Sequence, residues 1–418
     1  MALSRRQLLS KSALAGVGWP VFALSDIQVA FGGQPQPDHA ALLIVFLRGG
    51  FDGLSLVMPI AGADLAIYNA ERPNLAIPAS GKGGAWGLND QFGMHPAAKP
   101  LHELYQKKSL AVIHAAGMTE PNRSHFDAQA MIELGTPGRK AGDSGWLARY
   151  LRAEPRTSMA GGEIAIAVGG MLPTMLLGMS NALVMNNANG LNIGGKQPNV
   201  VRAALRDMYT GTDGWLGSYG VAALDAMDLL EGLASKDYVP SNNAEYLKNE
   251  AGNKLKTVAQ LLKMPLGLTA AAVDLGGWDT HKYQGAAADG KFADLIGQLA
   301  AGLSALLQDV GGQSGRKLTI LVMSEFGRRL KENANKGTDH GHGNVMLLMG
   351  DRVNGGNVYT EWPGLKTEQL YDRADLAVTT DFRQVVVETL QVLGKGVHPE
   401  LIFPGFRPGK TLGLLRNA

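Results

Sequence analysis

The chain has 418 residues, of which 45% are hydrophobic and 18% charged, and its net charge is +2. That length and balance support a sizeable packed core and exclude overall disorder, while a near-neutral charge without a basic stripe gives no footing for nucleic acid. The sequence contains no cysteine, which excludes disulfides, thiolate metal sites and cysteine nucleophiles, so any metal must be held by oxygen and imidazole ligands.

The N-terminus reads as a targeting segment. Ser4-Arg5-Arg6-Gln7-Leu8-Leu9 and Lys11 precede an apolar stretch from Ala13 to Leu24, and Ala23-Leu24-Ser25 offers small residues at cleavage spacing. The paired arginines resemble a twin-arginine export signal, which implies carriage by the twin-arginine translocase and a periplasmic or otherwise exported protein. A frayed amphipathic helix is the plainer alternative. The stretch is short and holds Pro20, so it does not read as a membrane span, and no later segment does either. Residues 1–33 are therefore set apart as signal and linker, and residues 34–418 are expected to form a single α/β domain.

After the linker Gln34 to Pro37, Ala40–Leu47 is a continuous apolar run ending at Gly49-Gly50. Such a run predicts a strand buried on both faces, as in a parallel sheet. Ser109–Ala116, Glu163–Val168, Thr269–Leu275, Leu318–Met323 and Val345–Met349 read the same way. Between them, Phe126–Leu134, Val200–Tyr209, the stretch Trp215 to Leu262, Phe292–Val310 and Phe382–Leu393 carry helical patterns. Strands alternating with helices predict an α/β fold with a doubly wound, mostly parallel sheet and helices on both faces. The helical region near 200–265 reads as an insertion or cap on one edge.

Open α/β sheets bind ligands beyond the carboxyl ends of their strands, and the unusual polar clusters fall there repeatedly. They are Arg48-Gly-Gly-Phe-Asp52, Arg123-Ser124-His125-Phe-Asp127, Gly277-Trp-Asp279-Thr-His281, Ser324-Glu325-Phe-Gly-Arg328 and Gly337-Thr-Asp339-His340-Gly-His342. His125, His281, His340 and His342, four of the nine histidines, lie in these clusters, which points to one shared site. Converging carboxylates and neutral imidazoles suit a hard or borderline cation, which can acidify a nucleophile and neutralise developing charge.

Each residue also has a plainer reading. Asp52 between glycines shapes a turn, Ser124 with Asp127 forms a capping box, and Asp279 with His281 is a solvated loop pair. His340 and His342 are then surface histidines, and Arg123 and Arg328 sit in salt bridges rather than binding an anion. Glu325 is harder to dismiss, because a carboxylate ending a buried strand needs a partner. His95 reads as structural and Trp278 as core.

Taken together and in order, these motifs resemble a bacterial family exported by the twin-arginine route, sulfatase-like and labelled as a domain of unknown function. That family is itself distantly similar to the alkaline phosphatase superfamily. The resemblance covers essentially the whole chain and implies an alkaline-phosphatase/sulfatase-like fold. It implies metal ligands at Asp52, Asp279, His281, Glu325 and His340 or His342 and a nucleophile at Ser124; beside them, Arg123, His125 and Arg328 are expected to contact substrate. Phe326 stands where that superfamily places a metal-binding histidine, and Glu325 where it places an aspartate, so one of two metal sites is expected to be weakened. The missing cysteine removes the usual sulfatase nucleophile.

The expected activity is metal-dependent hydrolysis of a phosphate or sulfate ester of a small molecule or glycan. It would use one or two divalent ions, with zinc, calcium, magnesium and manganese all open. The alternative is a non-catalytic periplasmic binding or assembly protein on the same fold.

Overall fold

The computed structural model describes residues 40–140, 142–153, 164–179, 182–187, 197–234, 238–264, 268–286, 289–311, 317–394 and 396–416. The targeting segment expected at 1–33 lies outside them.

The six apolar runs become strands of one sheet, β1 (Ala40–Leu47), β2 (Leu110–Gly117), β3 (Ile164–Val168), β5 (Leu268–Leu275), β6 (Lys317–Met323) and β7 (Asn344–Gly350), joined by one that was not expected, β4 (Ala182–Met185). Alternate residues of β1 serve opposite faces. Ala41, Leu43, Val45 and Leu47 belong to one core, and Leu42, Ile44 and Phe46 to the other. Helices Lys99–Gln106, Glu250–Lys263 and Lys291–Val310 cover the first face through Leu101, Leu255, Val258, Ile296 and Leu303. Helices His125–Leu134, Trp146–Ala153 and Phe382–Leu390 cover the second through Ile132, Trp146, Tyr150 and Val386. A strand clothed on both sides is apolar throughout, which is why β1 shows no polar alternation.

Among the described residues the sheet has nine strands, running Val358–Tyr359, β2, β7, β6, β1, β5, β3, β4, with Thr380–Asp381 also paired to β2. β1 is parallel to β5 and β6, and β3 is parallel to β4 and β5. β7 alone among the longer strands runs antiparallel, to both β2 and β6. The fold is therefore α/β with a mostly parallel sheet between two helical layers. The reversal of β7 matters for function. It brings the residues that lead into β7 to the same edge as the residues that leave β1, β2, β5 and β6. A two-stranded ribbon, Arg328–Glu332 with Thr338–His340, makes the connection from β6 to β7.

The region expected as an insertion divides. Helices Pro198–Thr210 and Trp215–Ala234 pack on each other and are joined by Arg202 and Arg206 to Asp225, Asp228 and Glu231. Glu250–Lys263 instead lies in the helical layer against Lys291–Val310, so its apolar face belongs to the main core. Among the described residues no helix is long and apolar enough to cross a membrane.

Candidate metal centre at the carboxyl edge of the sheet

The turn after β1 approaches the loop after β5 so closely that only glycine fits. A Cβ on Gly49, whose φ is +124°, would lie 2.5 Å from the backbone nitrogen of Asp279. Beneath them, Arg328 is fully buried and spends its guanidinium on the chain itself. Nη1 donates to the Thr338 carbonyl at 2.7 Å, Nε and Nη2 donate to the carbonyls of Gly50 and Gly49, and Nη2 also reaches the Asp279 carboxylate at 2.5 Å. One side chain thus knots the turn after β1, the loop after β5 and the ribbon.

Three imidazoles gather around Asp279 Oδ1. His281 Nε2 lies 3.1 Å from it, His340 Nε2 3.3 Å and His125 Nε2 3.6 Å. The Nε2 atoms of His281 and His340 are 2.9 Å apart. Each ring is tied at its other nitrogen to an oxygen that can only accept. His125 Nδ1 donates to Glu325 Oε1 at 2.7 Å, His340 Nδ1 to the Arg123 carbonyl at 2.8 Å, and His281 Nδ1 to Asp339 Oδ1 at 3.2 Å. The proton therefore sits on Nδ1 in each neutral ring, leaving a bare Nε2 lone pair aimed at the cluster. His125 Nε2 is buried without a hydrogen-bond partner. Converging lone pairs and an anionic oxygen repel one another unless a cation lies among them, and the acceptor behind each ring is the usual support of a metal-binding histidine. His125, Asp279 and His340 each offer a ligand atom within 4.8 Å of the others. A tetrahedral site with bonds near 2 Å has ligand–ligand edges of about 3.3 Å, so the residues fit an ion.

Electrostatics agree with that reading. Burial pushes the Asp279 carboxyl up, but the bond and charge of Arg328 and the nearby histidines overcome it and hold it at about 2. It is an anion at any ordinary pH. The bond to Glu325 raises His125 against the opposing effect of burial. Burial lowers His340, against the pull of the Arg123 carbonyl. Glu325 is raised by burial and lowered more strongly by His125, Gln129 and backbone donors, so it stays ionised.

The structure moves several expected site residues elsewhere. Asp52 is not at the cluster: it is fully buried in a pair with Arg72, 2.7 Å from Nη1, and also accepts from Gln284 at 2.7 Å and Ser55 at 2.8 Å. Its oxygens are saturated and cannot take a cation. Glu325 stands behind the cluster rather than in it: its Oε1 accepts from His125, Gln129 and the Gly49 amide. His342 packs on Tyr371 with ring centroids 4.6 Å apart, and burial holds it at about 4; it lies outside the cluster. Arg123 is paired with Asp375 and Asp372, and Arg328 is consumed by the backbone, so neither is free to hold a substrate anion. His125, expected to touch substrate, is instead a candidate ligand. Ser124 is exposed and stands at the start of the helix His125–Leu134 without a side-chain capping bond, its amide donating to Asn122 Oδ1 at 2.7 Å and Asp127 paired instead with Lys140; among the described residues its hydroxyl makes no bond to a base. Asp279, His281 and His340 come together.

Two contributors go unread in the sequence, and Asp339, although named in its cluster, has no role there. Gln129 stands one helical turn after His125, a visible spacing. Arg72, which claims Asp52, ends an unremarkable helix and left no signal.

The family model described as "Protein of unknown function (DUF1501)" matches residues 234–397, a stretch that holds Asp279, His281, Glu325 and His340 but not His125. No curated protein matches the chain. Among solved structures, the chain is similar to the C-terminal periplasmic domain of EcEptC from Escherichia coli in complex with Zn. The identity is 11%, coverage is 79% of this chain and 77% of that one, and the TM-score is 0.33. It is also similar to Ps i-CgsB in complex with k-i-k-neocarrahexaose, at 10% identity, 88% and 74% coverage and a TM-score of 0.37. A third is the phosphonate monoester hydrolase of Agrobacterium radiobacter, at 9% identity, 88% and 78% coverage and a TM-score of 0.32. Likenesses this distant leave the site to be read from its own geometry.

Proposed function

We propose that the protein is a metal-dependent hydrolase of a phosphate or sulfate ester, built around a single cation held by His125, Asp279 and His340. The observation that carries this is the convergence of bare imidazole nitrogens on an ionised carboxylate, each ring locked from behind. Nitrogen-rich donors of this kind favour zinc or a neighbouring transition ion over magnesium and calcium, which take oxygen ligands. When bound, such an ion would acidify water and polarise an ester oxygen. The chain's own residues would do the rest. Arg328 keeps Asp279 ionised and fixed, and the oxygens behind the three rings hold their nitrogens in the receiving tautomer. Ser124, lacking a base, leaves water as the nucleophile this reading favours.

One observation favours a second reading, a structural metal in a binding protein. His281 Nε2 sits close enough to both Asp279 and His340 to become a fourth ligand. Four protein ligands would close the coordination shell, whereas three leave a position for water or substrate.

The deciding experiment is metal analysis of purified protein beside an Asp279→Asn/His340→Ala variant, followed by a panel of phosphate and sulfate esters. One ion per chain, lost in a folded variant together with ester turnover, is the expected result. Bound metal with no turnover across the panel would favour the structural reading, and no metal after reconstitution would overturn both.

A further inference from the structure

We infer that Glu325 is a positioning residue, fixing the His125 ring with Nε2 toward Asp279 and so setting how tightly the site holds its cation. This rests on the metal-centre reading above and adds what controls that centre. The three acceptors behind the rings are unequal. Asp339 is half exposed and bonds His281 at 3.2 Å. The Arg123 carbonyl that receives His340 is neutral. Glu325 is ionised, 1% exposed, and bonds His125 at 2.7 Å. A short bond to a buried charge is the strongest of the three kinds.

Glu325 is itself held from several sides. Oε1 accepts from the Gly49 amide at 2.9 Å and from Gln129 Nε2 at 2.8 Å, and Oε2 lies 2.9 Å from the Ser324 hydroxyl. These contacts join the turn after β1, the end of β6 and the helix that carries His125. Gln129 reaches Glu325 from the same helical face as His125, one turn later. Because the carboxylate cannot move, the ring it holds is oriented before any ion arrives, and the ordering cost is not met at binding. Losing a partner of this kind lowers metal affinity about 10- to 100-fold.

A merely structural role competes, because Glu325 also closes the turn at Gly49. A double-mutant cycle on the full folded chain separates the two, with zinc affinity read by competition against a chromophoric chelator and folding checked by circular dichroism. Glu325→Gln is expected to weaken zinc about 10- to 100-fold, Gln129→Leu to weaken it less, and Asp339→Asn less than Glu325→Gln. In a His125→Ala background, where Asp279, His340 and the adjacent His281 still hold zinc more weakly but within the chelator's range, the further cost of Glu325→Gln should shrink to within about threefold, since the effect travels through His125. Equal costs in both backgrounds, or no loss in the first, would overturn the inference while leaving the metal centre standing. Zinc binding absent from the parent would bring down both. If Glu325→Gln fails to fold, Gln129→Leu carries the same cycle, because it spares the Gly49 turn.

Discussion

At the scale of single residues, the Nε2 atoms of His281 and His340 stand 2.9 Å apart beside an ionised carboxylate. Whether both serve the cation decides between a catalytic and a structural centre. His281 is the more exposed ring, 37% against 22% for His340, and its rear acceptor is the longest of the three bonds. The hydrolase reading expects His281→Ala to keep one metal per chain at an affinity about tenfold weaker, near 1.4 kcal/mol, whereas His340→Ala loses the ion. Metal content measured after dialysis against a weak chelator checks this. Equal loss in both variants would mean four protein ligands and a closed shell. Part of this chemistry was visible in the sequence, because clusters at the ends of apolar strands must meet at one edge. The division of labour was not. Asp52 looks as good a ligand as Asp279 until Arg72, distant in sequence, is seen against it. Arg328 looks like an anion receptor until its donors are found spent on carbonyls.

At the scale of elements, the junctions between strands and loops carry the site. Gly49 and Gly276 both follow strands, and the sequence gives no reason to rank them. The structure does: Gly49 has φ of +124° and no room for a Cβ, while a Cβ on Gly276 would have no described atom within 4 Å. Gly49→Ala is therefore expected to cost at least about 2 kcal/mol and to loosen the ion. Gly276→Ala should stay within about 0.5 kcal/mol of the parent and keep its metal. Denaturant unfolding with metal analysis tests the pair, and equal behaviour would contradict the close approach of the two loops. The six long strands were legible because full burial on both faces writes an unbroken apolar run, while the short Ala182–Met185, Val358–Tyr359 and Thr380–Asp381 were not. The reversal of β7 was not, since such a run reads alike in both directions. Nor was the place of Glu250–Lys263, whose amphipathic pattern states that a face is buried but not against what.

At the scale of the whole molecule, the packing around the sheet also buries titratable groups outside the metal cluster. His114, on β2, is fully buried between Phe92 and Trp362, with ring centroids 5.2 and 4.8 Å away. Its Nε2 donates to the Val57 carbonyl at 2.9 Å, and its Nδ1 accepts from the Ala115 amide at 2.8 Å. A second proton has no place to go without breaking the latter bond. Burial accordingly lowers His114 to about 4, against the opposing pull of the Val57 carbonyl, and burial lowers His95 to about 4 as well. The unfolded chain, with an ordinary imidazole near 6.5, takes up these protons first as pH falls. Stability from His114 is thus fully present above about pH 6.5 and drains away as pH falls from there toward 4. Between about pH 7 and about pH 5 the loss from this one ring is on the order of 2 kcal/mol. His114→Gln, which removes the titration, should start less stable at about pH 7 yet lose about 2 kcal/mol less on acidification to about pH 5. Denaturant unfolding of the chelator-treated proteins at the two pH values measures that difference without interference from bound metal. Parallel losses in parent and variant would show that His114 takes up its proton in the folded state, and that this part of the core is more open to water than its packing implies.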